Sequence, residues 1–323
     1  MVVALVAATL GAACVSLFVG YAALPPGQVI GGLFGAGGTA GVIMQEIRLP
    51  RMLLGLVAGA ALGISGAVLQ GLLRNPLAEP GVTGVSAFAA LGAVIAMYFG
   101  ISAAWPLALP IFAIVGALTS AALLFALSAR DSGILTLILA GVALSSLAGA
   151  LTSLALNLSP NPYAVSEIVF WLLGSLKDRS LQDVAISTPF VAAGITLLST
   201  TGRALDALTL GEDAAQSLGI DLRALARRSA LGVALAVGAS VAVTGTIGFV
   251  GLVVPHLMRP FVGHEPSKLL VPSAFGGALL VTVADIGVRL VPVTPELMLG
   301  VLTSLSGAPF FLWLVMRMRR EMR

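Results

Sequence analysis

Residues Arg51–Arg74 read RMLLGLVAGAALGISGAVLQGLLR, an uncharged run framed by two arginines. Coiled as a helix at about 1.5 Å per residue, the run covers the roughly 30 Å hydrocarbon core of a bilayer. Within it Gly55, Gly59, Gly63 and Gly71 recur at four-residue spacing, with Ala67 filling the gap. Small residues on one stripe let helix backbones approach closely. The stripe therefore predicts tight packing inside a bundle, with a face on a translocation path as the sharper alternative.

Outward from this stretch the pattern repeats. Apolar runs of similar length stand at about 1–23, 82–101, 105–128, 133–157, 184–202, 228–247, 269–292 and 296–318, which with 50–72 makes nine spans. The chain has 323 residues, 58% apolar and 10% charged; a soluble domain carries about 25% charged residues. No segment is left for a sizeable soluble domain, so one all-α membrane domain over 1–323 is expected. Met1–Ala23 is too long, and too poor in leading basic residues, for a signal peptide, and reads as a first span. Its Cys14 has no intramolecular partner and reads as a small apolar packer.

Two stretches are apolar but short: Tyr163–Leu176, and Phe249–Val262 with Pro255 and Pro260 inside it. Charge decides the second. Arg223, Arg227 and Arg228 flank one loop, while Arg317, Arg319, Arg320 and Arg323 form the C-terminus, and both clusters belong on the cytoplasmic side. Three crossings between them would separate them; a fourth, at 249–262, reunites them. The count is then ten transmembrane helices with both termini cytoplasmic. Twelve basic residues fall inside (Arg74, Arg130, Arg203, Arg259 and Lys268 with those seven), and five outside (Arg48, Arg51, Lys177, Arg179 and Arg289). Tyr163–Leu176 becomes a re-entrant or surface helix on the outer side. The net charge of +3 reflects this topology and marks no nucleic-acid surface.

Several chemistries are disfavoured. The only lysines, Lys177 and Lys268, follow Leu176 and Ser267, so there is no P-loop and ATP use must reside on another chain. An ion-coupled carrier would show acidic residues or histidine in mid-membrane; Asp285 is such a residue, but Arg289 four positions on makes it half of a helix ion pair. His256 and His264 have no cysteine or carboxylate cluster at ligand spacing, so neither a metal site nor a cofactor is expected. Ser65 and the serines of Ser304–Gly307 lie beside glycines, and such serines more often pack or bond a backbone carbonyl than serve as nucleophiles. Between Gly202 and Arg228, Glu212 and Asp213 open a short helical pattern that Gly219 can close, either as a connector or as a docking element. Asn75-Pro76 and Glu79-Pro80 read as a turn between helices, and Pro255-His256 as a kink with a structural histidine.

Several separated motifs, taken in order, resemble the FecCD-like permeases of ABC importers for iron chelates and cobalamin. They are Arg48-Leu-Pro-Arg51, Gly63-Ile-Ser-Gly-Ala67, Arg74-Asn-Pro-Leu-Ala-Glu-Pro-Gly81, Leu210-Gly211-Glu212 to Leu218-Gly219, Gly248-Phe-Val-Gly-Leu-Val-Val-Pro-His256, Leu270-Val-Pro-Ser273, Ala284-Asp285 with Arg289, and Gly307-Ala-Pro-Phe310. The chain departs from that family in starting directly in apolar sequence. The resemblance implies a non-enzymatic inner-membrane permease with ten spans, paired as a homodimer, bathed in lipid, served by two cytoplasmic ATPases and a periplasmic binding protein. Gly211, Glu212, Asp213, Ala214, Ala215, Leu218 and Gly219 would form the ATPase-coupling helix. Arg48, Arg51 and Arg289 would face acidic residues on the binding protein. Asn75 and Pro76 would belong to a cytoplasmic gate or ATPase contact. The expected cargo is haem or a ferric siderophore, with cobalamin as the alternative.

Overall fold

The computed structural model describes all residues except 36, 129–133, 160, 294, 322 and 323. Arg130 and Arg323 of the charge tally lie outside the described residues. In chain order the helices are α1 (Val2–Phe18), α2 (Pro26–Leu33), α3 (Thr39–Val42), a π-helical stretch (Ile43–Arg48), α4 (Leu49–Leu72), α5 (Val85–Tyr98), α6 (Ile101–Ala104), α7 (Ala108–Ser128) and α8 (Ile134–Asn157). They continue with α9 (Pro162–Leu172), α10 (Leu181–Ser199), α11 (Gly202–Leu208), α12 (Glu212–Ser217), α13 (Leu222–Thr244), α14 (Val250–Met258) ending in a 3₁₀ turn (Arg259–Val262), α15 (Pro266–Leu290) and α16 (Leu299–Glu321).

The fold is all-α, with no strand among the described residues. α1, α4, α5, α7, α8, α10, α13, α14, α15 and α16 follow the ten expected spans in order. Among the described residues five continuous helical stretches, Thr39–Leu72, Leu139–Asn157, Leu181–Ser199, Leu222–Thr244 and Pro266–Leu290, are long and apolar enough to cross a bilayer by themselves. α9 has eleven residues, about 16 Å of helix and too short to cross.

α4 is the central post, packed against α15, α13, α14 and α10. Its glycine stripe is what lets α15 in: a Cβ on Gly59 would stand 2.4 Å from the Gly277 carbonyl oxygen, and one on Gly63 2.0 Å from that of Ser273. Gly66, one step off the stripe, admits α14 in the same way at Gly251. The packing reading of the stripe therefore holds, and the stripe does not face a path. In lipid no hydrophobic force drives helices together, so this close backbone approach and the dispersion it permits replace it. Leu139, Val142, Leu147, Leu151 and Leu154 of α8 and Leu312 and Trp313 of α16 remain exposed, as a lipid-facing perimeter requires. Cys14 is also exposed, so it does not pack in the core as its sequence context suggests.

Side-chain contacts define two ends of the bundle. One gathers the C-terminus of α1, the N-terminus of α4 and the C-terminus of α15. The other gathers the C-terminus of α4 with α11, and α11 with the N-terminus of α15.

Candidate functional site

Between these ends lies a cavity of about 710 Å³. Its walls come from the 79–81 turn, the end of α9, residues 246–248 and the α16 face that carries Gly300, Ser304 and Ala308. Two backbone bonds and one side-chain bond braid these segments: Ser175 N–H to Thr244 O at 2.7 Å, Gly300 N–H to Gly174 O at 3.1 Å, and the Thr246 Oγ1 hydroxyl to Leu172 O at 2.5 Å. Gly300 sits where a Cβ would fall 2.2 Å from Leu173 O, so only glycine lets α16 close on this braid. Among the described residues the lining is otherwise aliphatic, proline and glycine with three hydroxyls, Ser86, Thr246 and Ser304; it has no lysine, arginine or histidine, and its single carboxylate is Glu79. That carboxylate lies near the N–H of Phe249, the residue that opens α14 in a left-handed conformation (φ 66°). Burial pushes the Glu79 carboxyl up to about 7, against a smaller downward pull from the Phe249 N–H. The turn that holds it is built as the sequence suggests: Asn75 Oδ1 accepts Leu77 N–H at 2.9 Å, an Asx turn ahead of Glu79-Pro80.

The first end is a buried charge cluster. Arg48, Arg51 and Arg289 are 3%, 7% and 6% exposed, which corrects the expectation that they stand on the surface to meet a binding protein. Arg51 donates through Nε to Asp285 at 2.8 Å and through Nη2 to Glu296. Arg289 forms the expected helix pair with Asp285 at 2.9 Å and also donates to Ser16 O and Val19 O, both at 2.8 Å. Arg48 donates to Leu17 O at 2.7 Å, Phe18 O at 3.1 Å and Ala22 O at 2.5 Å. The last carbonyls of α1 have no partner in their own helix and carry its negative end. Two guanidiniums cap them, and two carboxylates hold the third. The cause of the correction is tertiary: Asp285 and Glu296 reach Arg51 from 234 and 245 residues away. Neither Glu296 nor the α1 carbonyls carry a local sequence signal; an acidic residue between Pro295 and Leu297 was the only available hint.

At the other end α11 and α12 stand out from the bundle. Gly211 precedes α12 with φ 105°, Glu212 and Asp213 occupy its first turn, and Gly219 follows it with φ 83°. Gly219 N–H bonds Gln216 O and Ile220 N–H bonds Ala215 O at 3.0 Å, a Schellman closure. Ala215 is fully buried, whereas Leu210 and Leu218 are 69% and 63% exposed. The helix is thus pinned by one small residue while two leucines face outward with Asp213 and Gly219, and Gly211 is half-buried. The contact that sequence reading missed is Asp206 on α11, whose Oδ1 accepts Ser267 N–H at 2.8 Å and so caps α15. Nearby, Gln70 donates to Gly251 O at 3.2 Å and accepts from Arg259 at 2.5 Å, tying α4 to α14. His256 sits edge-on to Phe310, the structural place expected of it.

The profile of the FecCD transport family matches residues 8–317. The chain belongs to that family. Among FecCD relatives, it is 44% identical over 277 residues to the vitamin B12 import system permease protein BtuC of Vibrio cholerae, covering 85% of this chain and 83% of that one. It is 39% identical over 287 residues to the hemin transport system permease protein HmuU of Yersinia pestis, covering 86% and 84%. The Fe(3+) dicitrate transport system permease protein FecD of Escherichia coli is 41% identical over 278 residues, covering 86% of each chain. A solved structure described as an inward-facing conformation of a metal-chelate type ABC transporter superposes with a TM-score of 0.83 at 32% identity, over 97% of both chains. As a FecCD protein the chain is a multi-pass inner-membrane permease subunit of an ABC importer, and not itself an enzyme. The ATPase is a separate subunit, which accords with a sequence lacking a P-loop.

Proposed function

We propose that this permease works as a homodimer that passes an iron chelate, haem or a ferric siderophore, from a periplasmic binding protein into the cytoplasm, driven by two ATPases docked on α11 and α12. The observation that carries this reading is the outward leucine pair flanking α12, joined rigidly to α15 through Asp206 and Ser267. When the ATPases close on ATP they displace α12 and α11, and α15 follows through its cap. Because α15 is interlocked with α4 at Gly59 and Gly63, the displacement reaches the cavity as rigid-body motion rather than local bending. Gly211, Glu212, Asp213, Ala214, Ala215, Leu218 and Gly219 form the coupling element. Asn75 and Pro76 belong to the gate, since their turn carries Glu79 into the cavity. A lining of aliphatic side chains with a few hydroxyls suits a bulky cargo that must pass without being held.

Both termini lie in the cytoplasm in this reading, so the α11–α12 end is cytoplasmic and the arginine end periplasmic. Arg48, Arg51 and Arg289 then serve the binding protein indirectly, by fixing the shape of the end on which it docks. Cobalamin is the second reading of the cargo, favoured by the 44% identity to a vitamin B12 permease. The test is a liposome-reconstituted complex in which Glu212–Gly219 is replaced by a flexible linker. ATP-driven uptake should fall at least about tenfold, a coupling loss of over 1 kcal/mol, while the permease keeps its thermal stability. Uptake at the wild-type rate would remove the coupling role, and labelled haem, ferric siderophore and cobalamin offered with the binding protein decide the cargo.

A further inference from the structure

A second cavity, of about 910 Å³, opens beside the first turns of α13, between that helix, α4, α5 and α7 and below α12. α13 builds it as a ladder. Arg223 and Arg227, four residues apart on one face and both exposed, stand at its mouth. Ala226, Ala230 and Val233 continue the same face inward, and Leu69 and Ala121 close the opposite walls. A run of small side chains leaves a groove, and the two guanidiniums sit where the apolar part of the helix begins, at headgroup level.

Among the described residues two carboxylates line this cavity, Glu212 and Asp221. Glu212 already faces Arg74 at 3.7 Å. Asp221 accepts Ala224 N–H at 2.9 Å as the α13 N-cap, so the helix N-terminus is occupied by the chain's own carboxylate. Among the described residues, Arg74, Arg223 and Arg227 against Glu212 and Asp221 leave one positive charge over an apolar groove. The chemistry complementary to that is one monoanionic phosphodiester carrying acyl chains.

We infer that this cavity is a binding site for one anionic phospholipid, its phosphate between Arg223 and Arg227 and an acyl chain along the Ala226–Ala230 groove. Basic pockets between membrane helices take acidic headgroups in this way. The site requires only that the chain span a bilayer and does not depend on the ATPase reading. A lipid there would wedge α13 against α4 and α7 directly under α12, and would set how freely that helix moves.

The experiment is native mass spectrometry of the full-length permease, purified in detergent and titrated with phosphatidylglycerol or phosphatidylcholine. One phosphatidylglycerol per chain should be retained selectively, and retention should weaken with salt. Arg223→Gln/Arg227→Gln should lower it about thirtyfold, by the loss of two surface-level cations, and Ala230→Leu should lower it by filling the groove with the charges intact. Arg228→Gln removes the same charge from outside the cavity and should leave it unchanged. Equal retention of both lipids by the wild-type chain overturns the site without recourse to any variant. So does equal loss in Arg228→Gln, which would mean diffuse basic attraction, or full retention in Ala230→Leu.

Discussion

The two ends of this bundle handle charge in opposite ways. At the arginine end Arg48, Arg51 and Arg289 are buried, and their donors are taken up by Asp285, Glu296 and the α1 carbonyls. At the α12 end Arg74 and Glu212 are 40% and 46% exposed and 3.7 Å apart, and Arg223, Arg227 and Arg228 face outward. A buried, fully hydrogen-bonded ion cluster has few alternative arrangements, because every rearrangement strands a charge. Exposed pairs are worth less than about 1 kcal/mol and exchange partners freely. One end is therefore built to keep its shape and the other to meet partners and move.

Breaking the cluster should have the largest effect. Asp285→Asn leaves Arg51 and Arg289 short of one countercharge and should cost about 3–5 kcal/mol, seen as a large drop in the unfolding temperature of the detergent-solubilised permease. If that variant kept its stability and lost only affinity for a binding protein, the cluster would be a docking surface after all. Asp206→Ala should cost about 1 kcal/mol, the value of a lost helix cap, yet depress ATP-driven uptake beyond what that implies; unaltered uptake would separate α11 from α15.

A third effect, read through pH, belongs to Glu79, which lies between the two ends. Its folded carboxyl is pushed up to about 7 from the ordinary 4.5. Between those values the folded state holds the extra proton, so stability should fall as pH rises through that window and level off above it. Glu79→Gln should flatten the profile, and thermal unfolding at pH 5, 6 and 8 checks the sign.

The comparison also shows which inferences sequence could carry. Gly59 and Gly63 could be read as a packing stripe because helical period alone puts them on one face. Gly211, Glu212 and Gly219 could be read as a short helix because capping is a matter of neighbouring residues. The exposure of Arg48, Arg51 and Arg289 could not be read so. The positive-inside rule treats each arginine as a solvated charge, and these three are buried among carboxylates and helix-end carbonyls. Asp206, Gln70 and Arg259 stayed hidden for the same reason: each bonds a group 61 to 189 residues away.

The sequence by itself determined that this chain is an all-α membrane permease without its own energy source. Hydropathy, glycine spacing, charge between spans and the missing P-loop are all local properties, and the bilayer enforces them segment by segment. Only the tertiary structure decided which charges are spent inside and which face a partner. That depends on carboxylates and helix ends brought together across more than 200 residues, and no local period records such a meeting.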